Sequence, residues 1–280
     1  MGSIMKMKLY GVPLSQPFRS VAWTLLQLKI PFQVEMAVPG MSSKMGTQHE
    51  NFRTLTPHRS TLVPLLTYTT EGEEEVLHKN PVVISESPAI MAHVCEKFGS
   101  KLDQQHSLYP APGTVAKAHV DSYLHWHHTN TRLLARLFQT KVRPDLKTTV
   151  SEADQAQLQE LLQTLNSGWL QGNGDHDQSS SHFIGGLDHP TIADILAYGE
   201  LSAVTMTNLL KVDPDEFSVL HRWMEDMSQL PYHDQVHQAL TVLGDLAEES
   251  EGPISKRLGA ATKAGIQALV EAQDYATVQK

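Results

Sequence analysis

Ser15-Gln16-Pro17-Phe18-Arg19 follows a short apolar run, Met7-Lys8-Leu9-Tyr10-Gly11, and opens a segment where Phe18, Val21, Ala22 and Leu25 recur at i, i+3, i+4 and i+7. The run reads as a strand over 7–11 and the segment as a helix over about 17–28. Pro17 then falls in the first helical turn, where its missing N–H costs nothing. The turn between them places the Ser15 hydroxyl at the positive end of a helix. Unpaired backbone N–H groups and the helix dipole favour an anion there, a thiolate included. On position alone two readings stay open: Ser15 caps the helix, or it meets a ligand.

The pattern continues outward from this turn. Further strands are predicted at 32–38, 62–68 and 75–79, and helices at about 45–55 and 87–98. Pro64 opens the third strand, where an edge position or a cis Val63-Pro64 bond would accommodate it. Glu71-Gly72-Glu73-Glu74-Glu75 reads as a solvated hairpin tip. Residues 100–114 have the Pro, Gly and polar composition of a linker. Beyond it nearly everything reads as helix, at about 115–141, 151–171, 191–210, 215–229 and 231–248, with a polar loop at 172–182. Thr191 and Asp194 form a capping-box pattern. The fold class is therefore a small α/β domain over 1–99, a linker, and an all-helical domain over 115–249. Residues 250–280 are either a weakly amphipathic helix or a disordered tail.

The chain has 280 residues, a formal charge of −9 and 40% hydrophobic residues. That acidity argues against general nucleic-acid binding. One cysteine excludes an intrachain disulfide, a CxxC redox pair and a cysteine-rich zinc site. Cys95 reads as a small buried apolar residue. No segment has the length and apolarity of a membrane span or signal peptide, so the cytoplasm is the expected location. His119, His125, His127 and His128 invite a metal reading, but His125 and His128 share a helix face from which His127 points away. No metal is expected.

Glu86-Ser87-Pro88-Ala89-Ile90 repeats the logic of the first turn, with a carboxylate and a hydroxyl before a proline-led helix. Ser-Gln-Pro-x-Arg after the first strand, Val-Pro-Leu-Leu at the third and Glu-Ser-x-Ala-Ile into the third helix occur in that order. Together they resemble the thioredoxin-like domain (βαβαββα) of cytosolic glutathione transferases, the first motif most like the theta class. Val120 to Thr129 with Arg132, and Phe183-Ile184-Gly185-Gly186 before Thr191-Ile192-Ala193-Asp194, extend the similarity over roughly 7–245. A Tyr-x-His-Trp run is also shared with the theta-like dichloromethane dehalogenases.

The resemblance implies that Ser15 donates a hydrogen bond that stabilises the glutathione sulfur as thiolate, and that Arg132 assists near it. It implies glutathione contacts from Gln16, Val63 with Pro64, Glu86 and Ser87. It further implies a homodimer and a small hydrophobic electrophile, whether halide, epoxide, isothiocyanate or hydroperoxide, with residues 250–280 as possible helical cover over the site. Leu62 stands where the theta class commonly has a glutathione-holding lysine, for which Arg59 is a substitute. His49, Lys44 or Arg59 would take the glycyl carboxylate, His49 on the strength of a Gln-His pair. The alternative is a glutathione-transferase fold that serves as a non-catalytic interaction module or binds apolar ligands without turnover.

Overall fold

In the computed structural model, which describes residues 6–56, 58–69, 81–99, 107–171, 183–248 and 253–278, β1 (Lys6–Gly11) runs parallel to β2 (Gln33–Met36) and antiparallel to β3 (Leu65–Thr69). β4 (Val82–Ser85) pairs antiparallel with β3, giving the order β2-β1-β3-β4. Period-two alternation sorts β1 between two faces. Met7 and Leu9 join the main core with α1 (Gln16–Gln27) and α3 (Ser87–Phe98), while Tyr10 packs on Phe52 of α2 (Glu50–Arg53) on the other face.

The helical region comprises α4 (Val115–Asn130), α5 (Arg132–Val142), α6 (Glu152–Gln163) with a π-helical turn over Thr164–Trp169, α7 (Ile192–Thr205), α8 (Ser218–Ser228), α9 (His233–Leu243) and α10 (Ile254–Val278). α7 is buried on all sides from Ile192 to Val204 and packs against α1, α4 and α5. Gly199 permits the close approach to α1, since a Cβ there would collide with Ser20 Oγ. The capping box at Thr191 and Asp194 forms in both directions. The Asp194 carboxylate accepts from Ile184 N–H at 2.8 Å, Thr191 N–H and O–H each at 2.8 Å, and Trp223 Nε1–H at 3.0 Å. Burial pushes its pKa up to about 6 against those four donors.

Several expected boundaries move for identifiable reasons. The predicted 45–55 helix shrinks to α2, because the chain folds back so that Val38 N–H bonds Met45 O at 2.7 Å and Gly46 lies against the Met41 carbonyl. The predicted 115–141 helix breaks at Thr131. There Thr131 Oγ1 donates to His127 O at 2.9 Å and Asn130 Nδ2 to Trp126 O at 2.7 Å, side chains competing for helix carbonyls. The last strand lies at Val82–Ser85; the segment 75–79 predicted for it, like the acidic tip and the 172–182 loop, lies outside the described residues. The stretch from Ile254 is helical, and α10 lies along α9 and α1. Gly265 there faces Pro13 and Ala239, where a Cβ would come within 2.7 and 2.9 Å. Gln273 Oε1 accepts from Phe32 N–H at 2.7 Å.

Cys95 is buried, and desolvation pushes its thiol up to about 12, so it is an inert core residue. Among the described residues no helix is long and apolar enough to cross a membrane.

Candidate functional site

The Ser15 turn is built from both sides. A Cβ at Gly11 would meet the Phe18 ring at 2.5 Å, so glycine lets β1 end close against α1. Ser15 N–H bonds Val12 O at 2.9 Å, and Ser15 O accepts the first helical bond from Arg19 N–H at 3.0 Å. The backbone of Ser15 is extended as a cap position requires, yet its side chain makes no capping hydrogen bond. The hydroxyl is half-buried at the α1 N-terminus and has no partner among the described residues.

Arg19 fixes the turn from beneath. At 1% exposed, its guanidinium donates to Pro13 O at 3.3 Å, Leu14 O at 3.0 Å and Gly199 O of α7 at 2.7 Å. Desolvation lowers its pKa to about 9, which still leaves it charged at neutral pH.

Beside Ser15 lies a cleft between the sheet domain and α4, α5 and α7. Its sheet-domain wall holds Gln16, Val63, Pro64, Glu86 and Ser87. The Val63-Pro64 bond is cis, one of the two arrangements expected for that proline. Val63 makes no backbone hydrogen bond to the described residues. Glu86 has φ 70°, ψ 120°, an arrangement that costs a non-glycine residue on the order of 1–3 kcal/mol and is characteristic of ligand clamps. Its exposed carboxylate has no ion pair among the described residues, and the buried Ser87 begins α3.

The helical wall holds His127, His128, Arg132 and Glu200. The break at Thr131 makes Arg132 the first residue of α5, exposed and without an ion pair among the described residues. Burial, then the neighbouring His127 and Arg132, lowers the His128 pKa. His127 Nδ1 lies 3.2 Å from Glu200 Oε1, both residues buried. The structure thus brings Gln16, Val63, Pro64, Glu86, Ser87 and Arg132 together around one cleft, with Ser15 adjoining. No family model matches the chain. Over 284 residues it is 25% identical to Glutathione S-transferase T1 of Arabidopsis thaliana, covering 95% of this chain and 100% of that protein. It is equally 25% identical to Glutathione S-transferase T3 of the same plant, of which it spans only 41%. Human glutathione-S-transferase T1-1 in its apo form superposes with a TM-score of 0.63 at 23% identity, covering 93% of this chain and 99% of the human one. A Drosophila mojavensis glutathione transferase homolog with bound glutathione gives 0.61 at 23% identity, covering 97% and 98%.

In sequence and in fold the chain resembles a theta-class glutathione transferase. Measured against that transferase resemblance, none of the three alternatives for the glycyl carboxylate lines the cleft. His49 caps α2, its Nδ1 accepting from Asn51 N–H at 3.2 Å, and does not line the cleft. Arg59 is held in an exposed ion pair with Glu50 at 2.7 Å, and Lys44 is exposed and does not line the cleft. Leu62, in the place of the theta-class lysine, lines the cleft with an apolar side chain.

Conversely, sequence reasoning missed His127, Glu200 and Arg19. The signal for His127 was present: it completes the buried stripe Val120, Tyr123, Leu124, His127 at i, i+3, i+4 and i+7, as the one polar ring on an otherwise core-facing face. The same signal marks Glu200, a carboxylate in the wholly buried α7. Among the described residues no group of three or more His, Cys, Asp and Glu gathers as a metal site.

Proposed function

We propose that the chain is a glutathione transferase that holds the glutathione sulfur as thiolate beside Ser15 and directs it at a small electrophile. The observation that carries this is the unsatisfied Ser15 hydroxyl at the N-terminus of α1, next to a cleft lined by Gln16, Val63, Glu86, Ser87 and Arg132. A thiol of pKa about 8.5 is mostly protonated at neutral pH, and one O–H donor with a helix N-terminus favours its ionised form. Gln16 and Val63 hold the peptide backbone of glutathione, while Glu86 and Ser87 take its γ-glutamyl end. Arg132 stabilises the anion that departs or develops when sulfur attacks. Halides, epoxides, isothiocyanates and hydroperoxides all fit that chemistry, and the working form is a cytoplasmic homodimer.

A second reading has one observation in its favour. None of His49, Lys44 and Arg59 lines the cleft, so the glycyl carboxylate lacks an evident cation, as a fold kept for binding rather than turnover would have it. Calorimetric titration with glutathione in two buffers of different ionisation enthalpy separates the two. Binding with proton release supports the transferase; no binding at millimolar glutathione supports the non-catalytic fold.

A further inference from the structure

The resemblance implies helical cover over the site from residues 250–280. α10 supplies the helix, yet none of its described residues lines the cleft. It meets the Ser15 turn instead. Ala261, Gly265, Leu269 and Ala272 form its buried stripe, at i, i+4, i+8 and i+11. Midway along that stripe, a Cβ on Gly265 would come within 2.7 Å of Pro13 Cβ and 3.1 Å of Pro13 Cγ, where ordinary contact begins at 3.4 Å. The other glycine of α10, Gly259, is exposed, and a Cβ there would have nothing within 4 Å. Glycine weakens a helix interior wherever it stands. At Gly265 alone of the two, the close approach of Pro13 and Ala239 accounts for it.

Pro13 stands two residues before Ser15, in a turn with little room to yield. It is buried, Ser15 N–H bonds Val12 O at 2.9 Å, and Arg19 donates to Pro13 O at 3.3 Å and Leu14 O at 3.0 Å. α10 is itself fastened near both ends. Arg257 donates to Leu243 O at 3.2 Å and Asp245 O at 2.6 Å, and Gln273 Oε1 accepts from Phe32 N–H at 2.7 Å. The turn is thus held by Arg19 through hydrogen bonds and by α10 through contact, so the place of the Ser15 hydroxyl depends on how closely α10 approaches. Resting on the transferase reading, we propose that α10 positions Ser15: Gly265 lets the helix seat on Pro13, which sets where the hydroxyl meets the glutathione sulfur. A misplacement of about 1 Å in a reacting group can cost about 100-fold in rate. A hydrogen bond also weakens as its angle departs from linear, so a displaced turn leaves the bound thiol less ionised.

Gly265→Ala tests this, with Gly259→Ala as its control on the same helix. Ionisation of enzyme-bound glutathione is titrated by the ultraviolet absorbance of the thiolate. Binding of glutathione, and of S-methylglutathione, which has no ionisable thiol, is measured calorimetrically at neutral pH. Gly265→Ala should raise the pKa of the bound thiol by about 1, a tenfold loss of thiolate stabilisation. It should weaken glutathione by up to that factor and bind S-methylglutathione as wild type does. Gly259→Ala should match wild type throughout, and Gln273→Ala, which frees the far end of α10, should shift the thiol in the same direction by less. A Gly265→Ala protein that melts lower but ionises bound glutathione as wild type does makes Gly265 a packing residue and overturns the positioning, as does an equal loss of both ligands. Where Gly265→Ala does not fold, unchanged ionisation in Gln273→Ala overturns it. Each of these outcomes leaves the transferase reading intact. A wild type that leaves glutathione unbound, or bound as the thiol, overturns that reading and the positioning with it.

Discussion

α7 carries two buried carboxylates in opposite conditions. Asp194 accepts four hydrogen bonds from three residues and has nothing left to offer. Glu200 has one bond to His127, and its second oxygen is buried without a partner among the described residues. Only the first has both carboxylate oxygens hydrogen-bonded within the described residues. The difference teaches that burial alone does not give a carboxylate its role inside one helix: a satisfied polar cluster holds the fold, and a buried acceptor left unpartnered is the exception that calls for its own explanation.

The largest expected effect sharpens the satisfied side. Asp194→Ala strands four donors and should cost about 3 kcal/mol or more, read as a fall in melting temperature of roughly 5–10 °C. The folded fraction should keep its activity per molecule. Ser15→Ala is the mirror image, with melting unchanged and turnover down by about 100-fold, the usual price of one donor to a reacting anion. Unchanged turnover would remove Ser15 from the mechanism.

His237 could break the comparison, since its Nε2 is also buried and unpartnered but sits among Trp23, Tyr198 and His233 rather than in the cleft. Desolvation, with Arg19 and His233, holds its pKa well below 6.5. The unfolded chain therefore takes up a proton below pH 6.5 that folded His237 refuses, so stability is full above that pH and falls beneath it. Melting followed from pH 7 to 5 should show a loss of up to about 1.4 kcal/mol per pH unit, shallower in His237→Gln. The smallest effect is at Arg132, where alanine should lower kcat roughly tenfold and leave glutathione affinity nearly intact. An equal loss in both would make Arg132 a general anchor.

Legibility in the sequence followed locality. The proline-led turns at Ser15 and Ser87, the capping box at Thr191 and the boundaries of α3 are decided by neighbours in the chain, and they stand where the residues placed them. The break at Thr131 was hidden, because threonine and asparagine are tolerated within helices until their side chains take the carbonyls. His127 and Glu200 are 73 residues apart, and only the packing of α4 on α7 makes them a pair. His49 carried a local motif that α2, one turn long, uses as a cap instead.

Arg19 also bears on modularity. Its three acceptors come from two regions: two carbonyls of the turn before Ser15, and one from α7. Cutting the chain at the linker would leave a desolvated guanidinium facing solvent on one fragment and an unpaired carbonyl on a bared helix in the other. The sheet domain is thus not a cassette to be transplanted alone. Any chimaera that keeps the Ser15 turn in place must carry a helical partner with a carbonyl where Gly199 presents one, and with no side chain in the way.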